Sequence, residues 1–158
     1  MDYLAHAGGI SVVEIDNAGR LVIAAILGMC MGWERSMAGK HAGMRTYAMV
    51  SLGSALLVVM GTLASFELQM FAGINPLQLA GSIIIGIGFI GSGLAAYRVQ
   101  HAELTTASGI WVVAGVGMAC GFGFYILAGT ATLLSVIIFG VFSKVERTLR
   151  SKYGVDGK

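Results

Sequence analysis

The chain has 158 residues, of which 56% are hydrophobic and 11% charged, with a mean hydropathy of +0.82. That balance excludes an ordinary water-soluble domain, whose surface needs about twice as many charged residues. The net charge of +2 says little by itself, so the placement of the basic residues carries the information, and no nucleic-acid partner is expected.

Residues 1–16 hold Asp2, Glu14 and Asp16 around a short apolar patch at Ile10–Val13, and read as an external N-terminal segment. They carry no Lys or Arg ahead of a hydrophobic core, so no cleavable signal peptide is expected. A first spanning helix is expected from about Ala18 to Trp33. Arg20 and Glu34 within it are fourteen residues apart. That is only about 21 Å of helix against a hydrocarbon core of about 30 Å. At least one of the two charges therefore lies below the lipid surface unless it snorkels or the bilayer thins.

The stretch Gly28–Thr46, GMCMGWERSMAGKHAGMRT, then passes through a basic loop into a second span, Thr46–Ser65. Pro76 suits the first turn of a third helix, about Leu77–Ala96, because proline has no amide hydrogen to lose there. Between Leu104 and Phe142 lie 39 residues without a charge, which divide into two spans turning near Gly121–Gly123. Residues 143–158 form a short basic tail.

Three of the ten Lys and Arg residues fall in the first loop, one, Arg98, in the third, and five in the tail. Five spans put all nine on one face, and the positive-inside rule makes that face cytoplasmic, with the N terminus outside. The expected fold is thus an all-α membrane helix bundle of five transmembrane helices over residues 17–142.

The run GIGFIG at Gly86–Gly91 matches a dinucleotide-binding spacing, but it lies inside an apolar span with no strand before it. Gly86, Gly88, Gly91 and Gly93, like Gly28 with Gly32 and Gly117 with Gly121, read instead as helix-packing positions. They would serve contacts within the bundle or with a second copy, and a homo-oligomer is expected, with a dimer favoured. Cys30 and Cys120 lie in apolar runs without metal-ligand spacing and read as small core residues.

Glu34, Arg35, Arg45, Thr46, Arg98, Thr105 and Thr106 come from four helix ends that the topology brings to one face, where they form a candidate functional polar cluster. Topology anchoring accounts for part of the basic set. It does not account for Glu34, since a carboxylate near the acyl region needs a partner; Arg45 or Arg98 are the expected ones. Lys40 and His41 read as ordinary loop residues. On the outer side Asp16 and Arg20, at i and i+4, form a charged pair. Magnesium is a candidate ligand there if Glu14, Asp16 and Glu67 lie together, since it is bound through one or two carboxylates. No other cofactor is suggested, and no HExxH, GxSxG or Walker sequence occurs, so an enzyme is not expected.

GWERSMAGKHAGMRT, followed by GSIIIGIGFIGSG and then LTTASGIW, resembles the membrane domain of the MgtC/SapB family over roughly Arg20–Phe142. The resemblance implies a five-span bacterial inner-membrane protein tied to low-magnesium adaptation. It also implies that Asp16, Arg20, Glu34, Arg35, Arg45, Thr46, Thr105 and Thr106 are functional. Longer members carry a folded cytoplasmic domain after the last span; this chain ends 16 residues beyond Phe142, as a short form or as part of a longer protein. The expected role is in magnesium homeostasis, by modulating other membrane machinery. A carrier or channel for a cation or small solute, and a helix bundle that captures a partner membrane protein, are the alternatives. No acidic residue lies deep in the second to fifth spans to mark an ion path.

Overall fold

The computed structural model describes residues 12–67, 75–96, 104–143, 145, 148, 149 and 152. They form five α-helices in chain order: α1 (Val12–Met37), α2 (Met44–Glu67), α3 (Pro76–Ala96), α4 (Leu104–Gly121) and α5 (Tyr125–Ile137). A π-helical segment, Ile138–Phe142, continues α5. No strand occurs among the described residues.

The first helix is longer than the sequence suggests. It starts at Val12 rather than near Ala18 and runs 26 residues, about 39 Å. Nothing between Val12 and Ala18 breaks a helix. Glu14 sits in the first turn, where the helix dipole favours an acid, and Asp16 pairs with Arg20 across one turn. The extra length lies outside the interval from Arg20 to Glu34, so the short distance between those two charges is unchanged.

Two of the turns are set by glycines in the left-handed region, Gly39 at φ +65° and Gly123 at φ +81°. In the first, the Lys40 amide donates to the Arg35 carbonyl at 3.0 Å and the Gly39 amide to Ser36 at 3.1 Å. In the second, Phe124 donates to Ala119 at 2.7 Å and Gly123 to Cys120 at 2.9 Å. Both are Schellman endings, which satisfy the last carbonyls of α1 and α4. Across the first loop the Ser36 hydroxyl accepts the Met44 amide at 3.0 Å and caps α2. Asn75 does the same for α3: its side-chain oxygen accepts the Leu77 amide at 2.9 Å, with Pro76 opening the helix.

The core lies where α1, α2 and α4 cross, with α5 against α1 and α4. Ala24, Met31, Tyr47, Ala55, Ile110, Val113, Cys120 and Ala128 are fully buried there or nearly so. Backbone meets backbone at the crossings. A Cβ on Gly28 would lie 2.7 Å from the Tyr47 carbonyl oxygen, and one on Gly32 2.6 Å from Met44 Cα. One on Gly117 would lie 2.8 Å from Ser51 Cα, and one on Gly121 2.9 Å from the Ala55 carbonyl. The α3 glycines have other surroundings: Gly86, Gly88 and Gly93 have nothing within 4 Å of an added Cβ, and Gly91 has only Ala107, at 3.9 Å. Between α3 and α2 runs an apolar groove of about 720 Å³, lined by Met49, Gly53, Leu57, Ser82, Gly86 and Ile90 among others.

Large apolar side chains cover the outside; Phe89 is 81% exposed and Ile126 89%. Among the described residues, Met44–Ser65, Leu104–Gly121 and Tyr125–Phe142 are long and apolar enough to cross a bilayer. A coat of this kind is unstable in water and is solvated by lipid.

Candidate functional site

The C-terminal ends of α1 and α5 and the N-terminal ends of α2 and α4 meet at one end of the bundle, where α1 delivers Arg35 to the interior. Its side chain is only 5% exposed. One guanidinium nitrogen, Nη2, donates to Thr106 Oγ1 on α4 at 3.0 Å. The guanidinium carbon lies 4.7 Å from the centre of the Phe139 ring, within cation–π range. Phe139 stands in the π-helical segment, so a local widening of the helix accompanies the residue that covers Arg35. Such segments recur at functional sites.

One turn further along α4, Gly109 makes room for this arrangement. A Cβ there would run into the Tyr47 hydroxyl and would lie 2.7 Å from Phe139 Cζ. Arg35 therefore ties α1 to α4 and α5, with Tyr47 of α2 packed against the same glycine.

Glu34 does not pair with Arg45 as expected. Its closest basic group among the described residues is its neighbour Arg35, with Oε2 3.8 Å from Nη1. Successive helix residues point in different directions, so the pair is long and poorly aligned. Among the described residues Glu34 Oε2 is buried without a hydrogen-bond partner, as is Arg35 Nε. Thr106 is 1% exposed, whereas Thr105 and Arg45 are exposed and Thr46 is half-buried. The geometry thus gathers Glu34, Arg35 and Thr106 and leaves Arg45 and Thr105 at the rim. Arg98 lies outside the described residues.

Phe139 gives no signal in the sequence, since it is one aromatic residue in an uncharged run. Only the pairing of α5 with α1 brings it to Arg35. Lys40 and His41 are exposed, as expected of loop residues.

At the opposite end, Arg20 does more than pair locally. It contacts Asp16 through Nη2 at 2.7 Å and Nε at 2.9 Å, while Nη1 donates to the Gly121 carbonyl at 2.9 Å. A cation at the C-terminal end of α4 complements that helix's dipole. Asp16 is committed to Arg20, which weakens it as a magnesium ligand, and the Glu67 side chain lies outside the described residues. Among the described residues no three His, Cys, Asp or Glu side chains come together as a metal site.

A family model described as MgtC family matches residues 21–148. The chain is 35% identical over 136 residues to YhiD of Escherichia coli (strain K12), whose name proposes magnesium transport, covering 84% of this chain and 63% of that protein. It is 36% identical over 130 residues to SapB of Bacillus subtilis (strain 168), covering 80% and 56%. It is 34% identical over 136 residues to MgtC of Brucella abortus (strain 2308), covering 84% and 54%. The chain thus spans somewhat over half the length of these three relatives. No solved structure matches it. The matched region takes in the last turns of α1 with Glu34 and Arg35, all of α2 to α5, and Phe139; this chain belongs to the MgtC family, as a multi-pass bacterial membrane protein.

Proposed function

We propose that the protein acts in magnesium homeostasis at the bacterial inner membrane, by modulating other membrane machinery rather than by carrying the ion or by catalysis. All five helices span, with the basic loops and the Arg35 end cytoplasmic and the N terminus outside. The observation that carries this reading is Arg35: a buried guanidinium that engages Thr106 and Phe139 at the end rich in basic loops. Burying a charge in a membrane bundle is costly and commonly marks function. The interior between α1, α2 and α4 is closed at mid-depth by Ser51, wedged between Gly28 and Gly117, which favours a modulator over a conduit along that axis. The magnesium connection rests on family membership.

The test is growth at low magnesium of a strain lacking its own relative and carrying this chain. Arg35→Lys keeps the charge and loses the planar fork. It should fail to support growth at normal membrane abundance, while Lys40→Gln should behave as wild type. Equal growth of all three would sink the reading.

A second reading, a carrier or channel, is favoured by the name of the E. coli relative and by the groove between α2 and α3. Ion-selective flux in liposomes, abolished by Glu34→Gln, would establish it in place of the first. A homodimer, or capture of a partner membrane protein, would use the open face of α3 that holds Gly86 and Gly93.

A further inference from the structure

Arg35 lies in the last turn of α1, where a cation suits its own helix, but its guanidinium reaches the wrong end of a second one. It donates to Thr106 in the first turn of α4, an 18-residue helix whose N-terminal amides and dipole present positive charge. A guanidinium buried to 4% exposure beside that helix end repels it in a medium that screens poorly. The acid that could offset this, Glu34, lies 3.8 Å off and reaches no hydrogen-bond geometry. Arg35 Nε has no acceptor among the described residues. Thr105, beside Thr106, is exposed and offers a hydroxyl at the rim, and Arg45 is exposed at the start of α2.

We infer that the N-terminal end of α4, with Arg35, Thr105 and Thr106, is a binding site for a phosphate-type oxyanion, reached from the rim of the bundle. A tetrahedral oxyanion accepts several donors at once. It can take the guanidinium, a hydroxyl and helix-end amides together, and it brings negative charge that the described residues supply to Arg35 only through the misaligned Glu34 and that the first turn of α4 does not hold. The headgroup phosphate of a lipid and free inorganic phosphate present the same chemistry. The inference builds on the reading of Arg35 as the functional residue, but its test reads ligand binding and not magnesium-dependent growth, so either can fail without the other.

The whole chain, purified in a maltoside detergent that holds no phosphate, is heated with inorganic phosphate against chloride at constant ionic strength. A second arm compares the same phosphate-free micelles with micelles that also contain phosphatidic acid. One source should raise Tm saturably by about 5 °C, and which arm responds tells free phosphate from lipid. Thr106→Val should raise the half-saturating concentration about tenfold. Arg35→Lys should do at least as much, because a point charge cannot replace the fork. Lys40→Gln should leave it unchanged.

Glu103, one residue ahead of α4, lies outside the described residues and is the rival source of negative charge. A wild-type Tm indifferent to both phosphate sources, with Glu103→Gln lowering it as much as Arg35→Lys, would assign the balancing charge to Glu103 and overturn the site. Equal phosphate response in wild type, Arg35→Lys and Thr106→Val would also overturn it.

Discussion

Where α1, α2 and α4 cross, the chain packs backbone against backbone; along α3 it leaves glycines with no neighbour. Gly28, Gly32, Gly117 and Gly121 each stand where an added methyl would lie within 3 Å of another helix or its adjoining loop. Gly86, Gly88 and Gly93 would accept one without touching any of the described residues. In lipid no hydrophobic force draws helices together, so close packing and hydrogen bonds do the work. The first set is where this bundle obtains that packing. Gly86 and Gly93, seven residues apart, share one face of α3, with Gly86 lining a groove wide enough for several side chains, and Gly88 stands on nearly the opposite face.

The largest effect that would break the comparison is expected at Gly117. Gly117→Leu would drive a side chain into the Ser51 backbone and should cost about 3 kcal/mol or more. It would show as loss of folded protein from the membrane. Gly88→Leu should keep its abundance, and equal loss in both would mean that the two regions are packed alike.

Arg35→Gln comes next. It removes a charged hydrogen bond to Thr106 and the contact with Phe139. The expected cost is about 2–3 kcal/mol. A double-mutant cycle with Thr106→Val should give a coupling of about 1.5 kcal/mol by thermal or denaturant unfolding. A coupling near zero would place Arg35 outside the α1–α4 contact.

Arg20→Gln should cost about 1 kcal/mol, since it loses the Gly121 carbonyl. Asp16→Asn should cost less, because Asp16 is 54% exposed and its pair is screened. The smallest effect on the fold is expected for Gly86→Ala, within about 0.5 kcal/mol. If that substitution lowers cross-linking between copies, or growth at low magnesium, while stability holds, the open α3 face is the one that meets another protein.

Much of the fold was legible because the bilayer sets helix length and the chain is punctuated by polar residues. Pro76, the turn near Gly121–Gly123 and the break after Trp33 marked boundaries that the helices keep to within a few residues. α1 begins at Val12, ahead of the expected span, because Glu14 and Asp16 stabilise its first turns, and an acidic residue in sequence does not tell a helix start from a loop. Arg35 and Thr106 are both among the seven residues of the expected polar cluster, but nothing in their spacing pairs them. Glu34 lies against Arg35 and not Arg45, because sequence shows which charges are present but not which way a helix turns them; Arg98, the other expected partner, lies outside the described residues.

By itself the sequence determined that this is a helical membrane protein, that its charges gather at helix ends, and that Arg20 and Glu34 stand too close along the helix to span the hydrocarbon core. Those properties follow from composition and from a fixed rise per residue. Only the tertiary structure decided which glycines are pressed against a neighbour, that Phe139 covers Arg35, and that Arg20 caps α4. Each of these depends on the rotation of one helix against another, and interhelical rotation is set by packing that no local spacing records.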